Sequence, residues 1–212
     1  MNQYAFYHNA DKCVTCKACV IACKDKNDLK PGRKFRKLHT IGMGSWSGPD
    51  ANGAYTHTNA FSYSVSMACN HCANPACMAS CPAGAIGKRD DGIVFIDREL
   101  CVGCMSCSFV CPYDAPSFDK DAMKMDKCDF CRELIGASET PACVAACLMQ
   151  ALEYGPLDRL ELLHPEAVQQ VAPLADPVQT NPSFLITPHR KYDDSSTGMP
   201  FNMPEEIQAY EK

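Results

Sequence analysis

Sixteen cysteines fall into four groups of four along this 212-residue chain, with none left over. The first group, Cys13, Cys16, Cys19 and Cys23, is spaced C-x2-C-x2-C-x3-C. Cys101, Cys104, Cys107 and Cys111 repeat that spacing in the third group, and Pro112 follows. In the second group, Cys69, Cys72, Cys77 and Cys81, one gap widens to four residues before Pro82. In the fourth, Cys128, Cys131, Cys143 and Cys147, the middle gap swells to eleven. An internal repeat built on one ligand type constrains the fold strongly, because each group must close on something.

Two thiols at x2 spacing converge from one loop, and a third at another x2 supplies three corners of a cubane. The fourth, after x3, lies on the next turn and points away. In two-cluster bacterial ferredoxins that fourth cysteine binds the other cluster and a proline follows it. Disulfide scaffolds also carry even numbers of cysteines, but three inside seven residues leave bridges little acceptable geometry. Zinc ribbons use C-x2-C pairs joined by longer loops, which the fourth group alone would suit. All four groups together point to four 4Fe–4S clusters, and the intact ligand positions weigh against a 3Fe–4S variant.

Composition agrees that something besides apolar burial holds the chain. The hydrophobic fraction is 46%, but it includes the sixteen cysteines, and there are one Trp, nine Phe and eight Tyr. Such a core is small for the entropy of ordering this length, and metal bonds are a usual supplement. The net charge of −5 is interspersed, with no basic stripe for nucleic acid and no polybasic run for a membrane surface. No stretch nears eighteen apolar residues, and Met1 to Phe6 carry no export signal. The expectation is a soluble chain whose link to a membrane comes through a partner. No acid–base pair, Ser–His–Asp set or phosphate loop stands out, and Gly42-Met43-Gly44 lacks a dinucleotide-loop context. The chain is expected to conduct electrons rather than catalyse.

Asp91-Gly92 is a hairpin turn signal leading into β-rich Ile93 to Ile96. Residues 60–67 alternate as a strand, 42–50 read as turn-rich, and 157–163 suit a short helix stopped by Pro165. Residues 173–212 hold six prolines and read as an extended arm. The short hairpin between groups two and three is the usual layout of one ferredoxin unit. By the exchange rule, Cys69, Cys72 and Cys77 share a cluster with Cys111, and Cys101, Cys104 and Cys107 share one with Cys81. If groups one and four pair likewise, Cys13, Cys16, Cys19 and Cys147 hold one cluster and Cys128, Cys131, Cys143 and Cys23 another. The rival pairing, one with two and three with four, needs a long connection in its first half. The expected fold is therefore α+β: two ferredoxin-like units, one nested within the other, with much loop and a C-terminal arm. Its segments are 1–58 plus 120–172 for the first unit, 59–119 for the second, and 173–212 for the arm. Among residues beside ligands, His71 is expected to face solvent or stand behind the ligands. Lys17, Lys24, Lys127 and Arg132 could raise reduction potentials by offsetting cluster charge, or be simply solvated. Met78, Met105 and Met149 suit soft packing around clusters.

These motifs resemble those of the iron–sulfur subunits of dimethyl sulfoxide reductases. The resemblance lies in Cys13-Val14-Thr15-Cys16-Lys17-Ala18-Cys19, in Cys69-Asn70-His71-Cys72 with Asn74-Pro75-Ala76-Cys77, and in Cys101-Val102-Gly103-Cys104 with Cys111-Pro112-Tyr113-Asp114-Ala115-Pro116. It continues through Lys127-Cys128-Asp129-Phe130-Cys131, Pro141-Ala142-Cys143 and Leu152-Glu153-Tyr154-Gly155-Pro156-Leu157. It implies the middle, non-catalytic subunit of a respiratory enzyme, between a molybdopterin catalytic subunit and a quinol-oxidising membrane anchor. It also supports the nested pairing, with groups two and three toward the anchor and groups one and four toward the catalytic subunit. Polysulfide, thiosulfate and selenate reductases and formate dehydrogenases share the four-cluster plan. Nitrate-type relatives replace a third-group cysteine with Trp, whereas Cys104 is intact here. A free-standing polyferredoxin is the alternative from another class. The complex is expected on the periplasmic face, by co-export with the catalytic subunit, or on the cytoplasmic face.

Overall fold

The computed structural model describes residues 3–171, 174–192 and 199–200. It is a mixed α/β fold in which short elements carry long loops. In chain order the elements begin with β1 (Tyr4–Asn9), α1 (Ala18–Lys26), β2 (Lys37–Ser47) and β3 (Thr56–Met67). Next come α2 (Ala76–Ala79), β4 (Ile86–Lys88), β5 (Val94–Ile96), α3 (Ser106–Phe109), β6 (Ser117–Asp119) and β7 (Lys124–Asp126). The chain continues through α4 (Arg132–Gly136), α5 (Ala142–Ala145), β8 (Leu152–Pro156) and α6 (Leu157–Leu163) to β9 (Phe184–Thr187) and β10 (Met199–Pro200).

Each cysteine group sits beside a strand. The hairpin β4–β5 follows group two, with its turn at Asp91-Gly92, and β6–β7 follows group three. Group one leads through α1 into the longer hairpin β2–β3. In addition β1, just ahead of group one, pairs antiparallel with β8, just after group four, from Tyr4–Pro156 to His8–Leu152. The ends of a segment of some 150 residues are thereby closed over everything between them. Helix α1 packs on α5, which brings Cys19 and Cys23 toward Cys143, and α2 packs on α3.

Two stretches behave differently from their sequence signals. The turn-rich reading of 42–50 is overturned over most of its length: Gly42 to Ser47 continue β2, which pairs along β3 from Lys37–Met67 to Ser47–Thr56. Gly44, at φ 104°, absorbs a shift of register between Met43 and Ser45, a bulge that suits glycine. The turn proper lies beyond, where Asp50 Oδ1 accepts from Asn52 and Ala54 N–H. In the Pro-rich tail, the described residues include a 3-10 turn at Pro177–Gln179 and the strand β9, and they pack onto the body. Residues Phe6 to Asn9 of β1 pair in parallel with β9, and Asn70 C=O accepts the Ser183 N–H at 2.9 Å.

The main core gathers Phe6, Val20, Phe35, Leu38, Ile41, Val65, Phe130, Leu152, Phe184 and Ile186 around buried Cys19, Cys23, Cys69, Cys128 and Cys143. A smaller one sets Ile86, Val94 and Met125 around Cys101 and Cys107. The thiols thus lie inside the apolar clusters. Phe184 is 2% exposed in the main core, so Phe184→Ala should cost about 3 kcal/mol. A melting temperature lower by roughly 6–12 °C, followed by circular dichroism, is the expected outcome.

Candidate metal centres

One backbone device recurs in all four groups. The residue before the second cysteine has a positive φ: Thr15 at 61°, His71 at 43°, Gly103 at 70° and Phe130 at 66°. A left-handed residue in a turn aims successive N–H groups at one point and makes an anion-binding nest. Gly103 N–H donates to Cys101 Sγ (3.4 Å) and Phe130 N–H to Cys128 Sγ (3.4 Å), and Thr15 N–H reaches Cys13. For non-glycine residues this conformation costs roughly 1–2 kcal/mol and persists only where surroundings impose it. Only Gly103 advertises it in the sequence.

The fourth cysteines share a second device. Cys81 and Cys147 accept the N–H of an alanine four residues on, Ala85 at 3.3 Å and Ala151 at 3.2 Å, and Cys111 accepts from Ala115 in the same way. The residue before each alanine is again left-handed: Gly84 at 62°, Asp114 at 48° and Gln150 at 49°. Group one departs from this, because α1 runs on past Cys23. There the Asn27 side chain lies 3.7 Å from Cys23 Sγ while donating to Cys23 C=O at 2.8 Å.

All sixteen cysteines are free, and thiols from groups far apart in the chain meet in the fold. One cavity is lined by Cys13, Cys16, Cys19 and Cys147, together with His8, Ser66 and Met149. Another is lined by Cys69, Cys72, Cys77 and Cys111. Cys23 acts electrostatically on Cys128 and is acted on by Cys143 and Cys131. Cys107 is similarly surrounded by Cys101, Cys104 and Cys81. Thiols of different sets also adjoin one another: Cys19 feels Cys143, Cys128 feels Cys69, and Cys77 packs on the small core of Cys101 and Cys107. Among the described residues, no three His, Cys, Asp or Glu side chains close on one point as a single ion needs. Four thiols standing around a cavity suit the separate corners of a polynuclear cluster instead.

Burial sets the protonation state of these thiols. Burial pushes the thiols of Cys23 and Cys77 up to about 12 and those of Cys72 and Cys107 up to about 11. Thiolates here are unfavourable until iron neutralises them, so cluster binding must release protons. Thr180 contributes from the C-terminal segment: its hydroxyl bonds Cys72 and lies 2.9 Å from Tyr113 Oη. No sequence signal points to a residue so far along reaching the second group.

The flanking residues sort by where their donors go. Lys24 Nζ donates to Lys30 and Arg33 C=O, each at 2.8 Å, and Arg132 pairs with Asp129 (3.4 Å) and lies over Phe95. Those charges are spent on oxygen and ring. Lys127 is different: it is 2% exposed and donates to Val94 C=O and, at 3.0 Å, to Cys128 C=O. Its charge acts on Cys77. His71 does not face solvent, because β5 covers it; its Nδ1 accepts Val94 N–H at 3.0 Å. Arg36, which no sequence signal singles out, is 1% exposed among the thiols. Of the methionines, Met78 and Met149 are partly exposed and Met105 packs on the smaller core.

Residues 60–157 match the 4Fe-4S dicluster domain family. The chain is 40% identical over 187 residues to the B subunit of the anaerobic dimethyl sulfoxide reductase of Escherichia coli, covering 88% of this chain and 89% of that one. It is 35% identical to the thiosulfate reductase electron transfer subunit of Salmonella typhi, over 76% of this chain and 80% of the relative. The B subunit of the polysulfide reductase of Wolinella succinogenes is 31% identical, over 89% and 96%.

The third group offers a test of the nest. A Cβ on Gly103 would collide with Met123 C=O, backbone that cannot yield without opening β6–β7. Gly103→Ala should therefore remove roughly four irons per chain and leave the rest, measured by iron analysis of anaerobically purified protein.

Proposed function

This chain belongs to the family of anaerobic dimethyl sulfoxide reductase B subunits, the iron–sulfur electron-transfer subunits, and we propose that it relays electrons through four 4Fe–4S clusters. The relay runs between a quinol-oxidising membrane anchor and a molybdopterin catalytic subunit. The observation that supports this reading is the meeting of thiols from different groups, Cys147 with Cys13, Cys16 and Cys19, and Cys111 with Cys69, Cys72 and Cys77. In the proposed assignment Cys13, Cys16, Cys19 and Cys147 hold the first cluster, and Cys23, Cys128, Cys131 and Cys143 the second. Cys69, Cys72, Cys77 and Cys111 hold the third, and Cys81, Cys101, Cys104 and Cys107 the fourth. When bound, the clusters supply reversible one-electron chemistry.

The protein's own groups do the rest. The nests and the alanine N–H groups orient sulfur and offset its charge, which favours the reduced state. The apolar cores exclude water from Cys19, Cys23, Cys128 and Cys143. The units divide along the same lines: residues 1–58 with 120–172 form an outer ferredoxin-like unit, 59–119 an inner one, and the tail from 173 an arm. The β1–β8 pairing and the contact of α1 with α5 support this division.

The two ends of this relay are the open ones. Cys16 is exposed beside Val14, Ile21 and Leu148, and Cys104 beside Leu100, Val102 and Phe109. Exposed apolar residues ringing a ligand suit partner contact, so a catalytic subunit at the first end and an anchor at the other fit this surface. No helix among the described residues is long and apolar enough to cross a membrane, which is consistent with anchoring through a partner. The complex would stand on either membrane face.

Two measurements check this. Anaerobically purified protein should contain about sixteen irons per chain; about one zinc per cysteine group, without visible absorbance, would end it. Cys147→Ser should disturb the cluster of Cys13, Cys16 and Cys19 and leave that of Cys128 intact. Perturbation of a group-two cluster instead would sink the nested assignment.

A further inference from the structure

Arg36 lies just ahead of β2 with 1% of its surface exposed. Its Nη1 donates to Ser66 C=O (3.1 Å) and Ser66 Oγ (3.3 Å). One face of the guanidinium rests on the Phe6 ring, 4.5 Å from its centroid. Nε and Nη2 have no hydrogen-bond partner among the described residues, although both are buried. A buried cation needs an anion, since the loss of hydration is otherwise uncompensated. The charges that favour its cationic form are thiols from two sets: Cys143, Cys128 and Cys23 of one, and Cys19 of the other. Burial opposes the charge, yet those thiols hold its pKa above the ordinary arginine value.

We propose that Arg36 is the shared counter-ion of the first and second cluster sites, the N–H groups of its two unpaired nitrogens serving sulfur there and making both clusters easier to reduce. The proposal rests on the cluster assignment above. An added electron increases the negative charge of each site, and a fixed cation in a low-dielectric interior lowers that energy. Ser66 extends the link: its Oγ lies 3.3 Å from Cys19 Sγ, so its proton can go to sulfur while its lone pair accepts Arg36 Nη1. Arginine suits the place because it stays charged when buried and has five donors, enough for Ser66 and two sites together. Lys24 and Arg132 differ in place: Lys24 sits on the Lys30 and Arg33 carbonyls, and Arg132 is exposed on Asp129 and the Phe95 ring. Lys127 lies between the second and third sites and provides an internal comparison.

The test is an EPR-monitored redox titration of the chain in its native complex, comparing wild type with Arg36→Gln, Arg36→Lys and Lys127→Met. Arg36→Gln should make reduction of two of the four clusters about tenfold less favourable, 59 mV for one electron, and leave the other two unmoved. Arg36→Lys, which keeps charge but fewer donors, should recover most of the shift. Lys127→Met should move a different pair, sharing only the second cluster with Arg36. Four unmoved potentials in Arg36→Gln, or equal shifts in Gln and Lys variants, would overturn the proposal. If Arg36→Gln fails to assemble, Arg36→Lys decides: four clusters near wild-type potentials support it, and lost clusters overturn it. Failure of the assignment shows separately, in wild-type iron content or in the wrong cluster disturbed by Cys147→Ser.

Discussion

Sulfur in a water-excluded interior is the constraint on which this structure depends. Thiols whose protons are held to about 11 or 12 by burial cannot ionise there without a compensating charge. The fold answers with three kinds of compensation at once: room for iron between four sulfurs, backbone N–H groups aimed at sulfur, and buried cations without carboxylates. Each is costly alone. A left-handed Phe130, a guanidinium with two buried nitrogens unpaired and a lysine sealed behind β5 are unfavourable features of an ordinary core. They become mutually stabilising only around an anionic centre.

That constraint also explains the elements between the groups. Helices of four or five residues, such as α2 and α3, are too short to be stable by themselves, and the hairpins β4–β5 and β6–β7 are equally slight. They are stapled by the ligands at their ends. The longer elements do a different job: β1 is clasped between β8 and β9, so the chain's beginning is held by two segments far along it. This three-stranded sheet flanks groups one and four in the chain, β1 just ahead of the first and β8 just after the fourth.

Exposure divides the thiols unevenly, and the division has functional weight. Cys16 and Cys104 are exposed, while Cys19, Cys23, Cys69, Cys101, Cys107, Cys128, Cys131 and Cys143 are buried. A conductor between two protein partners needs its middle insulated and its ends within reach of a neighbour. Apolar residues such as Val14 and Phe109, left uncovered at those ends, are what docking would bury.

The sequence by itself determined the chemistry and much of the local structure. Cysteine spacing is a short-range property, so the four groups, the Asp91-Gly92 hairpin and the 157–163 helix were legible from neighbouring residues alone. The family followed from those same motifs. Only the tertiary structure decided how the chain's ends are clasped, because pairing of β1 with β8 and β9 depends on segments some 150 residues or more away. Left-handed turns at Thr15, His71 and Phe130 were hidden because surroundings, not residue type, impose them. Gly42 to Ser47 carried turn residues yet became strand, since a long partner in β3 outweighed local preference. Arg36 was invisible for the same reason: in sequence a charge is merely a charge, and its meaning comes from the sulfurs folded around it.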